Sequence, residues 1–186
     1  TTFNVDEEIT RINVRSVETI PFKVSEFIDN LSTKNDLIKY SILKAARYFR
    51  NYCNSDDVNN NFMDLSNMLR SIFYDLKNDH EIAFFSSIIV AGHNYNKSDM
   101  SYGEMRLLLR NDFEEFFRLS NESGNQLLKE RILERFKVFC KIIFKEFLDH
   151  NINFNKNTEV SLINIAEWKL EYYPDAERIG GKINGY

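Results

Sequence analysis

Residues 126–150 read QLLKERILERFKVFCKIIFKEFLDH, without a proline or a glycine. At a helical spacing of about 100° per residue, the charged residues share one narrow stripe and apolar residues fill most of the remaining circumference. The stripe consists of Glu130, Glu134, Lys137, Lys141 and Lys145, and the apolar positions include Leu128, Ile132, Phe136, Phe139, Ile143 and Phe147. The pattern predicts a long helix that is central to the fold and buried on all but one side.

The chain on either side of this segment also has the composition of packed helices. No proline occurs between Pro21 and Pro174, and the glycines in that span are Gly92, Gly103 and Gly124. Proline and glycine are the commonest punctuation of strands and turns, so a sheet-based domain of this size would contain more of both. With 16 Phe and 9 Tyr available for a core, the sequence predicts an all-α, single-domain helical bundle of six or seven helices.

The sequence divides into three regions. Residues 1–20 are predicted to form a short extended N-terminal arm, residues 21–173 the helical bundle and residues 174–186 a C-terminal tail. Within the arm, Ile12 and Val14 alternate with polar residues that include Arg11 and Arg15, which is the period of a half-exposed strand. We expect these four residues to pack along the bundle or to add to the edge strand of a partner.

Two local patterns inside the bundle have a specific structural meaning. Residues 82–92, IAFFSSIIVAG, form the longest apolar run, which is about half the length that a membrane-spanning helix needs. This run predicts a buried core helix and no membrane span. Ser101 and Glu104 have the spacing of a capping box, which predicts the start of a helix.

Charge and cysteine content restrict the class of protein. The 186 residues carry a net charge of −4 and have a pI of about 5.5, which argues against a surface that is wholly a nucleic-acid footprint. Cys53 and Cys140 are far apart and have no close cysteine or histidine partner, so neither a disulfide framework nor a zinc site is indicated. We expect reduced thiols, a cytoplasmic or otherwise intracellular location, and no metal or other cofactor.

The most suggestive charged pattern lies in residues 39–52, KYSILKAARYFRNY. On a helix, four basic residues would share an arc of about 140° opposite the apolar face, with Tyr40 beside them. The four are Lys39, Lys44, Arg47 and Arg50. Such a face can follow phosphates, and tyrosine can stack on unpaired bases. A solvated helix face balanced by acids elsewhere is the simpler interpretation of the same pattern in an acidic protein.

A second set of basic residues follows in the C-terminal half, at Arg106, Arg110, Arg118, Arg131 and Arg135. Two neighbouring helices that carried them could form an anion pocket. Acidic residues stand close by, among them Glu114, four residues before Arg118. We therefore predict ordinary intrahelical ion pairs rather than an anion pocket.

No stretch of the sequence carries a catalytic or phosphate-binding motif. We therefore expect a non-enzymatic protein-interaction or regulatory module, which could be a subunit of a larger assembly. It would bind a protein partner, or a second copy of itself, through the arm, the tail or a phenylalanine-lined groove. The alternative is a nucleic-acid-associated protein that uses the basic face around residues 39–50. A third hypothesis is an enzyme in which Glu104, His93 and His80 converge only in space.

Overall fold

A computed structural model of the protein describes residues 20–94, 100–153 and 159–173, without the side chains of residues 20–25 and 153. These ranges form seven α-helices and contain no strand. The helices are α1 (Ile20–Ser32), α2 (Asp36–Asn54), α3 (Val58–Ile72), α4 (Asp79–Asn94), α5 (Tyr102–Ser120), α6 (Gln126–Leu148) and α7 (Leu162–Tyr172), and a π-helical turn (Asp149–Asn153) follows α6. The all-α bundle is confirmed. The predicted arm up to residue 19, with Arg11, Ile12, Val14 and Arg15, and the predicted tail lie outside the described residues.

Side-chain caps explain where two of these helices begin. At α2, Oδ1 of Asn35 accepts a 2.8 Å hydrogen bond from the backbone N–H of Ile38. At α5, Oγ of Ser101 accepts a 3.2 Å hydrogen bond from the N–H of Glu104, and Oε2 of Glu104 accepts a 3.0 Å bond from the N–H of Ser101. Both arrangements satisfy backbone N–H groups that have no partner within the helix. The predicted capping box is confirmed.

Helix α4 is the most deeply buried helix of the described bundle. Every residue from Ile82 to Ala91 is buried, because α5, α6 and α7 pack around it. At Gly92 the approach of α7 is so close that a Cβ atom would lie 2.9 Å from Cδ of Lys169. The predicted core helix is therefore confirmed. None of the described helices is both long and apolar enough to cross a membrane.

Helix α6 is the longest helix, and the side that it leaves to solvent is broader than the predicted charged stripe. Its C-terminal half enters the core through residues such as Phe136, Ile143 and Phe147. On the solvent side, at or beside the charged stripe, the side chain of Leu127 is 78% exposed and that of Val138 is 51% exposed. Among the described elements α6 packs mainly against α3 and α4. These neighbours cover one side of the helix and leave its outer apolar positions to solvent.

The phenylalanines fill the core. Every phenylalanine whose side chain the structure describes is buried. Between α5 and α6, the rings of Phe116 and Phe136 stack with their centroids 4.4 Å apart, and Phe113 meets Phe136 edge-on at 5.4 Å. Phe62 of α3 lies 5.3 Å from Phe116. The predicted phenylalanine-lined groove is therefore not found on the described surface.

The side chain of a buried asparagine, Asn151, cross-links the backbone of the segment between α6 and α7. Nδ2 of Asn151 donates hydrogen bonds to the carbonyl oxygens of Phe147 at 2.9 Å and Val160 at 2.8 Å. Its Oδ1 accepts a 2.8 Å bond from the N–H of Val160. Beside it, Nδ2 of Asn30 donates to the carbonyl oxygen of Ile152 at 3.1 Å. The π-helical turn is thus joined both to the start of the last helical segment and to α1.

Arg70 of α3 pairs with Asp79 in the first turn of α4. Nε and Nη2 of Arg70 each donate a 2.8 Å hydrogen bond to the carboxylate of Asp79. Nη1 donates to Oδ1 of Asn67 at 3.0 Å, and the guanidinium lies 5.3 Å from the ring centre of Phe117. The hydrogen bonds from Arg70 hold the pKa of Asp79 below its ordinary value. The two-pronged geometry makes this pair stronger than most surface ion pairs.

We expect Arg70→Met to lower the free energy of unfolding at pH 7 by roughly 1–2 kcal/mol, because Asp79 loses a charge-assisted, partly exposed pair. A lowered carboxyl pKa stabilises the fold above the unfolded value of about 4, and this contribution is lost as the pH falls through the folded value. The difference in unfolding free energy between Arg70→Met and the wild type should therefore shrink as the pH falls below about 4. Urea unfolding from pH 7 to pH 2.5 measures it.

The matched control is Arg131→Met, because Arg131 is exposed and forms no ion pair among the described residues. Its unfolding free energy should stay close to that of the wild type at every pH. A difference between Arg70→Met and wild type that did not change with pH would contradict the assignment to Asp79.

Candidate functional site

The predicted basic face lies on the solvent side of α2. The opposite side of this helix packs against α3 through buried residues that include Ile38, Ile42 and Phe49. This division follows from the amphipathic pattern, because apolar residues recur every three or four positions along the helix. Six residues of the solvent side line one cavity and are referred to below as the α2 surface. They are Tyr40, Leu43, Lys44, Arg47, Tyr48 and Asn51.

The cations on this side of α2 differ in their partners. Nζ of Lys39 lies 3.2 Å from the carboxylate of Asp36, in an exposed ion pair that offsets part of its charge. Arg50 has an interaction of its own. Lys44 and Arg47 form no ion pair with any acidic side chain in the described ranges. Of the four predicted basic residues, these two are therefore available to an anionic ligand.

Aromatic and apolar side chains surround the two available cations. Tyr40 is 61% exposed, and Nζ of Lys44 lies 5.4 Å from the centre of its ring. Leu43 and Tyr48 are partly buried against the core. The cavity beside these residues has a volume of about 420 Å³. The α2 surface therefore combines positive charge with apolar contact area.

The sequence prediction included Tyr40, Lys44 and Arg47 but not Leu43 and Asn51. Both missed residues fall within the same arc of the helical wheel as the predicted ones. The prediction was made from basic and aromatic residues, and Leu43 and Asn51 are neither.

The second basic set is used largely for ion pairs within the bundle. Nε of Arg110 lies 3.1 Å from Oε1 of Glu114. Arg118 pairs with the carboxylates of Glu115 and Glu122 rather than with Glu114. On α6, Nη2 of Arg135 lies 3.4 Å from Oδ2 of Asp112. The prediction of intrahelical ion pairs is confirmed for Arg110 and Arg118, whereas Arg135 pairs with a residue of α5. Arg106 has an interaction of its own, and Arg131 is exposed.

The structure does not bring together the three residues of the enzyme hypothesis. His80 and His93 lie at opposite ends of α4, about 20 Å apart along the helix axis. Both ring nitrogens of His80 are engaged, with Nδ1 2.9 Å from Oε1 of Glu114 and Nε2 3.0 Å from Nη2 of Arg110. Glu104 belongs to the cap of α5, where hydrogen bonds from Ser101 lower the pKa of its carboxyl.

The cysteines and other metal ligands remain dispersed in the described parts of the chain. Cys53 is exposed and Cys140 is buried, with no disulfide between them. Burial raises the pKa of the Cys140 thiol, which disfavours the reactive thiolate. Within residues 20–94, 100–153 and 159–173, no three His, Cys, Asp or Glu side chains are grouped so that they could hold a metal ion. The intracellular location expected from reduced thiols stays a prediction.

Comparison with known proteins gives no functional assignment. No protein-family model, curated protein or solved structure matches the chain. Function therefore has to be inferred from the chemistry of the chain's own residues, and the α2 surface is the strongest candidate in the described region.

Proposed function

We propose that the protein is a non-enzymatic interaction module that binds another protein or a second copy of itself. The observation that carries this proposal is the composition of the α2 surface, where the exposed Tyr40 lies beside Arg47 and Lys44. Tyrosine and arginine are the residue types that most often contribute large binding energies in protein interfaces. A helix that is anchored by its buried side can present such residues without loss of its own packing.

Exposed apolar side chains elsewhere give further support to an interaction role. On α6, Leu127 and Val138 are largely exposed. Their eleven-residue separation places them on the same side of the helix, about 16 Å apart. On α5, the neighbouring Leu107 and Leu108 are 60% and 53% exposed. Single exposed leucines are common, so these positions are secondary to the α2 surface.

The test of this proposal is native mass spectrometry of the full chain purified from its own host. We expect a discrete species that exceeds the mass of one chain by that of a partner protein or of a second copy. Only the mass of the single chain, over a range of concentrations and at low ionic strength, would reject the proposal. Nucleic acid that copurifies and is removed by salt would instead favour the alternative function.

A further inference from the structure

We propose that the α2 surface binds an acidic segment of a partner protein. This inference rests on the proposed interaction function and adds the place and the chemistry of recognition. In this arrangement carboxylates of the partner pair with Arg47 and Lys44, and apolar side chains of the partner pack on Tyr40, Leu43 and Tyr48.

Charge complementarity selects an acidic partner. The protein has a net charge of −4, yet Lys44 and Arg47 have no acidic partner in the described ranges. The guanidinium of arginine can donate two parallel hydrogen bonds to one carboxylate, and the lysine ammonium adds a second positive charge. One turn of α2 separates the two cations. Carboxylates spaced by one helical turn in the partner would therefore meet both.

The apolar part of the surface selects a protein segment that also carries large apolar residues. Tyr40 is 61% exposed and supplies a rigid aromatic face with a small loss of side-chain entropy. Leu43 and Tyr48 are held against the core, so they are already ordered before binding. A ligand with charge alone would leave these side chains uncovered. A segment that alternates acidic and apolar positions would use both features.

The dimensions of the surface suit a short helix or an extended segment. From Tyr40 to Asn51 the α2 surface extends over eleven helical steps, or about 16 Å. A partner helix of three turns, or about five extended residues, has the same length. Helix-in-groove recognition of this kind uses anchor residues at three- and four-residue spacing. The anchors on α2 have that spacing themselves.

Two available cations favour a protein segment over nucleic acid. Sequence-independent binding to nucleic acid is driven chiefly by the counterions that are released when basic residues contact phosphates. Proteins whose binding depends strongly on salt make about 6–10 such contacts. Lys39 is already paired with Asp36, which reduces the basic face that the sequence predicted. A carboxylate-bearing segment needs only the local pair Lys44 and Arg47.

The experiment is a selection from a random 16-residue peptide library displayed on phage, with the full chain as bait. The test variant is Lys44→Glu with Arg47→Glu. The control variant is Lys77→Glu with Arg131→Glu, which changes the net charge equally at two exposed positions that form no ion pair among the described residues. A pool of single-stranded DNA is selected in parallel. Thermal unfolding of both variants checks that they are folded.

We expect the enriched peptides to be acidic and to contain large apolar residues. Their affinity should fall at least tenfold in the Lys44→Glu and Arg47→Glu variant and less than threefold in the control. Tyr40→Ala, which removes a mostly exposed ring, should weaken the same peptides without a change in net charge. If the charge-reversed variant fails to fold, Tyr40→Ala alone decides the question.

Three results would overturn the inference. The first is no enrichment, or enrichment of neutral or basic peptides. The second is acidic peptides that bind all variants equally. The third is enrichment of DNA alone, which would assign the α2 surface to nucleic acid. If native mass spectrometry detects a partner that the charge-reversed variant retains, the interaction function stands and the α2 assignment fails. If no partner is detected, the proposed function itself fails.

Discussion

Replacing Phe136 with alanine is expected to lower the free energy of unfolding by about 4 kcal/mol. The side chain of Phe136 is fully buried, and its ring contacts those of Phe113, Phe116 and Phe139. Truncation removes its transfer free energy and leaves a cavity between α5 and α6 that other large rings cannot fill without strain. Urea unfolding followed by far-ultraviolet circular dichroism measures the change. Phe136→Leu should cost about 1.5 kcal/mol, because it keeps most of the volume.

The matched control for Phe136 is Leu127→Ala in the first turn of the same helix. Leu127 is 78% exposed, so its truncation should change the unfolding free energy by less than about 0.5 kcal/mol. Equal effects at the two positions would mean that the N-terminal half of α6 is buried in solution. A small loss for Phe136→Ala would show that the ring cluster is not close-packed.

Replacing Asn151 with alanine is expected to lower the free energy of unfolding by about 3 kcal/mol. The side chain is fully buried and serves both the N–H and the carbonyl oxygen of Val160, as well as the carbonyl oxygen of Phe147. Alanine cannot form these bonds, and the N–H and carbonyl of Val160 would keep their desolvation cost without a partner. The variant should therefore lose much of the stability of the region between α6 and α7.

Two measurements test the role of Asn151. Urea unfolding gives the change in stability, and hydrogen exchange gives the protection of the Val160 amide, which should fall more than that of the amides in α4. Asn111→Ala is the control, since Asn111 is exposed on α5 and forms no hydrogen bond among the described residues. Equal stability of the two variants, or an unchanged Val160 amide, would refute the role assigned to the buried amide.

Local patterns in the sequence predicted most of the helical structure. The scarcity of proline and glycine indicated an all-α bundle, and the Ser101 and Glu104 spacing located the start of α5. The run over residues 82–92 indicated a buried helix because no side of it is polar. These features depend on interactions between residues three or four positions apart, so they can be read without the rest of the fold.

The candidate site was predictable in part. Helical periodicity placed Tyr40, Lys44 and Arg47 together on one side of α2, and the structure agrees. The pairing of Lys39 with Asp36 was also available from the three-residue spacing but was not used. Whether a cation has an acidic partner from another helix depends on contacts between distant parts of the chain. The available charges of Lys44 and Arg47 could therefore be identified only in three dimensions.

The sequence by itself determined the helices and the cap of α5, whereas the tertiary structure decided which side of each helix is covered. Leu128 was among the apolar positions predicted on α6, yet it is 37% exposed. Lys129 carries a charge that favours solvent, yet it is buried, with Nζ bonded to Oδ1 of Asn59 and to the carbonyl oxygen of Glu122. Hydrophobic patterning reports what a side chain prefers. Burial depends on which elements pack beside it, and their positions follow from the whole chain.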